Sequence, residues 1–318
     1  MSASRPPTQT AARSRVVAWA LWDCGSTGVS AIVVTFVFSV YLTRSVGDDL
    51  RGGTSPASLL GLALFFSGVT VALLAPVTGV WVDAPHRRRR ALGILTAIVV
   101  LLTSAMSLIR DDASYLLAGL LLLGFTAACN DLASVPYNAM LRQLTTPETS
   151  GRVSGFGWAA GYVGSVVLLL VIYEGFIAGD GPTVGLLDIP TADGQNVRAA
   201  MLVATAWMAA FALPVLIVPP PPADIEPPAR SSTGVRGAYR KLWSDLTSEW
   251  TRDRNFVYYL LASAVFRDGL GGVFMFGARV ILQPACSKRA TFSRPTSDAI
   301  TSRSALGTKN IGSTRARS

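Results

Sequence analysis

Six apolar stretches of membrane-spanning length fill residues 16–42, 57–82, 91–109, 114–140, 152–177 and 198–218. A run of ~20 apolar residues carries a helix across the ~30 Å hydrocarbon core of a bilayer. Lipid offers no partners to backbone N–H and C=O groups, so only helices and closed barrels cross it. The chain is therefore predicted to be an all-α membrane protein. A seventh apolar segment starts near Asn255 and reaches Ala278, giving a partial seventh helix at 255–278. Only 15% of the 318 residues are charged, against about 25% in soluble domains.

The connections carry the charge. Residues 1–15 hold three arginines, residues 83–90 read DAPHRRRR, and the linker 219–254 opens with PPPPADIEPPAR and adds further basic residues. Fifteen lysines and arginines fall on one side of the alternating spans and four on the other. Basic loops stay in the cytoplasm, which places the N-terminus and the linker there, in a cell inner membrane for a bacterial chain. This assigns the net charge of +9 to topology and argues against nucleic-acid binding. The first stretch is too long for the h-region of a signal peptide. Three scattered cysteines and one histidine exclude a zinc site, and neither a hydrolase nor a nucleotide-binding motif occurs. No enzyme activity, cofactor or metal is expected.

Ionisable residues inside the apolar material are costly and mark functional positions. Asp23 lies in the first span, as either a cavity-facing carboxylate for a cation, proton or solute amine, or a structural hydrogen-bond partner. The fourth span contains Asn130, Asp131, Pro136, Tyr137 and Asn138. From their spacing, Asn130, Asp131 and Asn138 are expected on one polar face. In the seventh segment, Arg267 and Asp268 precede Gly269, Gly271 and Gly272, a composition that permits a broken helix. The fifth span has Gly151, Gly155, Gly157, Gly161 and Gly164, whose small-xxx-small spacing predicts close helix packing. In the linker, Leu242, Trp243, Leu246 and Trp250 recur at helical spacing. They fit an amphipathic helix on the inner membrane surface or a packed cytoplasmic helix equally well. Residues 279–318 have no period and no apolar run, and are expected to be a disordered tail.

These residues resemble a known family. GVWVDAPHRRRRALG is similar to the signature loop of the major facilitator superfamily, with Gly79, Asp83, Arg87 and Arg88 matching and Ala84 and His86 departing. AWALWDCGSTGVSAIVVTFVFSVYLT, SVPYNAMLRQL and GRVSGFGWAAGYVGS resemble its Atg22-like, or UMF1, branch. The resemblance covers residues 16–278. It implies one six-helix bundle of a twelve-helix permease, with helices one, four and seven lining a central cavity. It also implies that Asp83 and the arginines form an inner gate. The function so implied is secondary transport of a small polar solute, amino acids included, coupled to a proton or cation. Asp23 and Asp131 would bind the cation or amine, with Asn130, Tyr137 and Asn138 orienting the solute. The tail departs from the family, so a reading-frame change near residue 278 is expected. The alternative is a truncated, non-transporting chain, or a half-transporter that needs a partner chain.

Overall fold

The computed structural model describes residues 9–47, 55–218, 235–267, 269–270 and 273. The proline-rich opening of the linker, Asp268 and the tail 279–318 lie outside the described residues. The chain divides into two units, Met1–Ser248 and Glu249–Ser318.

The first unit contains six helices long and apolar enough to cross a membrane. Helix α1 runs Gln9–Ser30 and continues through the wider turns of Ala31–Phe36 and Leu42–Val46. The β-branched run AIVVTF crowds the regular α-helical turn. There the Val37 N–H donates to Ile32 O at 3.0 Å, five residues back. Helix α2 is Pro56–Val82, α3 is Pro85–Met106, α4 is Leu116–Leu144, α5 is Pro147–Ile172 with a continuation to Ile177, and α6 is Gln195–Ile217.

Three of the six start at a proline, whose fixed φ suits the first helical position and whose missing N–H would be an orphan there anyway. Ser55 caps α2 by accepting from the Ser58 amide at 3.2 Å. Thr146 and Thr149 form a capping box at α5. The start of α3 corrects the expectation of a loop over 83–90. Ala84 is extended, Pro85 opens the helix, and all four arginines of the run belong to its first turns.

The helices pair in a repeated pattern. Helix α1 packs on α5 and α6, α4 packs on α2 and α3, and α3 packs on α6. Replacing each helix by the one three places along leaves this set of pairings unchanged. Three spans per repeat make corresponding helices cross in opposite directions, the arrangement of an inverted repeat. The core between them includes Trp19, Trp22, Phe38, Leu92, Leu123, Leu168, Met201 and Met208.

The α5–α6 connection holds a short hairpin, β1 Thr183–Val184 with β2 Ile189–Pro190. At the same end Gly194 has φ 67° and would drive a Cβ into the Tyr41 ring, so only glycine fits. Arg198 donates to Ser107 O at 2.6 Å and pairs with Asp193 at 3.5 Å, tying α6 to the end of α3. A further helix α7, Val235–Arg252, follows in the linker. In the second unit a helix covers 254–267, with Asp253 accepting from the Asn255 amide at 2.9 Å at its start.

Candidate functional site

The polar positions of α1 recur on one side of the helix. Trp19, Trp22, Asp23, Ser26 and Thr27 are spaced by three or four residues, so their side chains stack along one face. Three of them find partners on neighbouring helices. Trp19 donates its indole N–H to Tyr137 O at 3.0 Å, and Trp22 donates to Thr96 Oγ1 at 3.0 Å. Ser26 donates to Asn130 Oδ1 at 2.9 Å. A buried indole N–H needs an acceptor, and α3 and α4 supply one each.

Asp23 lies ~15 Å along α1 from Arg13 at 1.5 Å per residue. It is half-buried, and its Oδ1 accepts from Thr27 Oγ1 at 3.4 Å. Opposite it stands Gly161 of α5. A Cβ at that position would come within 2.8 Å of Asp23 Oδ2 and 2.9 Å of Thr27 Oγ1. One turn earlier a Cβ at Gly157 would come within 2.6 Å of the Trp19 ring and 3.1 Å of the Tyr137 hydroxyl. One turn later Gly164 meets Cys24, with a Cβ only 3.0 Å from its Cα. The glycines are the space in which the α1 side chains sit.

Tyr137 is held between two indoles, stacked on Trp19 at 4.4 Å and tilted against Trp22 at 4.5 Å. Its hydroxyl is buried and has no hydrogen-bond partner among the described residues. A buried hydroxyl left unpaired costs ~1–3 kcal/mol. The seam thus combines a carboxylate, a hydroxyl with unused capacity, Ser26 and Thr27 one turn further along α1, and Asn130 of α4 beside Ser26.

The expected single polar face of α4 divides in two. Asn130 is buried against α1, whereas Asp131 and Asn138 are exposed. Successive helical residues are ~100° apart, so Asn130 and Asp131 cannot share a direction. Gly151 and Gly155 also depart from expectation, because a Cβ at either meets nothing within 4 Å. Arg267 is exposed at the end of helix 254–267, and its neighbour Asp268 lies outside the described residues.

The loop motif also assembles differently from what the resemblance implies. Arg88 is 4% exposed. Its Nε donates to Val82 O at 3.0 Å and its Nη2 to Asp83 O at 3.2 Å, which satisfies carbonyls that end α2. The Asp83 carboxylate pairs with Lys241 of α7 at 2.5 Å. Gly79 has open space around it, and Arg87 is half-buried. Lys241 carried no motif, and its approach to Asp83 follows only from where the linker folds. Trp19, Trp22, Ser26, Thr27 and Thr96 were also not singled out as site residues, although the three- and four-residue spacing of the α1 set was a visible signal.

Six membrane-length helices, paired in two threefold repeats around a polar seam, define an integral multi-pass bundle of the major facilitator type. The chain belongs to the vacuole effluxer Atg22-like family, whose model matches residues 56–280. An uncharacterized MFS-type transporter, YxiO of Bacillus subtilis (strain 168), is 23% identical over 198 residues, covering 62% of this chain and 45% of that one. An uncharacterized protein of Aquifex aeolicus (strain VF5) is 27% identical over 158 residues, covering 50% of this chain and 38% of its own length. Among solved structures, the inward-open xylose transporter XylE of E. coli is similar with a TM-score of 0.49 and 16% identity, covering 74% of this chain and 52% of that one. The chain therefore spans less than half the length of the curated relatives it matches.

Proposed function

We propose that this bundle belongs to a secondary active transporter that moves a small polar solute with an amino group, such as an amino acid, by alternating access. One observation carries the reading. Asp23 and the unpartnered Tyr137 hydroxyl face the same glycine-lined seam, inside an otherwise apolar bundle. A carboxylate retained at that depth needs a cation, a proton or a water-filled cavity. An ammonium or coupling proton meets the charge of Asp23, and Tyr137 with Asn130 orients the solute by hydrogen bonding. Asp131 and Asn138 are exposed on another side of α4, and polar positions there favour a further wall facing α4, supplied by additional chain or by a second copy. Arg87, Arg88 and Asp83 with Lys241 then hold the inner end of the bundle during the access change.

The test is solute flux in proteoliposomes, with a panel of radiolabelled amino acids and an imposed proton gradient. Gradient-driven movement that Asp23→Asn lowers at least ~100-fold, at unchanged expression and reconstitution, supports the reading. Flux that survives Asp23→Asn removes Asp23 from the mechanism. No flux for any amino acid at any chain density overturns the transport reading for this chain.

A further inference from the structure

Of helix α7 the transport reading uses only Lys241, and the apolar residues of the helix are left without a role. Within the first unit its apolar residues Val235, Tyr239, Leu242, Trp243 and Leu246 form a single stripe at helical spacing. They are all exposed, Trp243 the most at 70%. Two contacts fix how the helix is rolled against the bundle. The Tyr239 hydroxyl donates to Leu73 O at 2.7 Å, and Lys241 Nζ pairs with Asp83 Oδ2 at 2.5 Å. Leu73 lies nine residues before Val82, so it is ~14 Å deeper along α2 than the helix end. Tyr239 and Lys241 are ~200° apart around α7. The tyrosine side therefore faces the apolar depth of α2, and the lysine side faces Asp83 at its end. Because Tyr239 belongs to the apolar stripe, the stripe lies on the side of α7 that turns toward the apolar length of α2.

We infer that α7 is an interfacial helix that seats its apolar stripe in the membrane surface and draws its basic residues onto anionic lipid headgroups. Three features select this partner. The stripe meets α2 through the Tyr239–Leu73 bond, and Leu73, Leu74 and Trp81 of α2 are themselves exposed apolar side chains. Trp243 and Tyr239 are the residue types that settle at the headgroup level. Arg236 and Arg240 border the stripe, and Asp245 is the one acidic residue between positions 235 and 248. Basic residues beside a stripe of this kind gain attraction from an anionic surface. The inference rests on the membrane location of the bundle and is independent of which solute it carries.

The test places single spin labels on the full chain in lipid nanodiscs, after Cys24, Cys129 and Cys286 are replaced by alanine. Trp243→Cys and Leu246→Cys report the stripe, and Ser244→Cys and Ser248→Cys report the opposite side. Labels at 243 and 246 are expected to meet dissolved oxygen several-fold more than a water-soluble nickel chelate, with the reverse order at 244 and 248. Equal nickel access at all four positions overturns the proposal by placing the helix in water. Shielding of 243 and 246 from both reagents overturns it in favour of a protein partner. Adding phosphatidylglycerol to phosphatidylcholine discs should deepen the stripe labels, and Arg236→Gln with Arg240→Gln should abolish that change. An identical depth in the two lipids overturns the anionic selection. Solute flux plays no part in these readouts, so the two proposals fail separately.

Discussion

The bundle contains one helix pairing twice, and the two copies have opposite characters. Where α1 lies on α5, three buried glycines of α5 let the side chains of Trp19, Asp23 and Cys24 approach the facing backbone. Where α4 lies on α2, the lining includes Ala63, Phe66, Thr70, Leu120 and Phe125, and an open groove remains between the helices. Of the α2 glycines there, Gly61 and Gly68 meet nothing, and the one close approach is Gly124 of α4, whose Cβ would lie 3.2 Å from Ala63 O. The same topology thus carries a filled polar seam and an apolar cleft. Asp23 sits where backbone contact closes the seam, because a carboxylate within a span is tolerable where it faces protein or confined water.

The largest structural effect is expected for Gly164→Val. A Cβ there collides with Cys24 Sγ and crowds the Cys24 backbone, so the helices must separate. The expected cost is ~1–3 kcal/mol, read as a lower melting temperature in detergent. Gly161→Ala presses instead on two movable groups, Asp23 Oδ2 and Thr27 Oγ1. It should cost less stability, under about 1 kcal/mol, while displacing Asp23 and lowering solute flux by an order of magnitude or more. A flux loss without any stability change separates the seam's chemistry from its packing.

On the other seam, Gly124→Ala should change stability by less than about 1 kcal/mol. Its helix-propensity gain offsets a tight approach to Ala63. Gly155→Ala should be neutral or stabilising by up to ~1 kcal/mol, since nothing opposes the methyl group. A melting loss at Gly155 as large as that at Gly164 would erase the contrast between the faces of α5.

Part of that contrast was legible before any coordinates. At 100° per residue, Gly157, Gly161 and Gly164 fall on one side of α5, and Gly151 and Gly155 fall well away from it. Counting small-xxx-small pairs treats all five alike and misses the division. The same arithmetic separates Asn130 from Asp131. The arginine run after α2 reads as a loop because charge is taken for exposure. A proline at position 85 and four good helix formers make it the first turns of α3 instead. Arg88 could not have been read as buried, because its acceptors are backbone carbonyls that exist only once α2 ends beside it.

By itself the sequence determined the membrane location, the number of spans in the first unit, and the choice of Asp23 and Tyr137 as polar positions to explain. Those follow from hydropathy and from the cost of charge in hydrocarbon, which are local properties of a chain in lipid. Tertiary structure alone decided which glycines face α1, that Ser26 meets Asn130, that the Tyr137 hydroxyl is left without a partner, and that Lys241 reaches Asp83. These depend on which helix lies against which and at what rotation. In a bundle without a hydrophobic drive between helices, that choice is made by backbone approach and hydrogen bonding across long sequence separations.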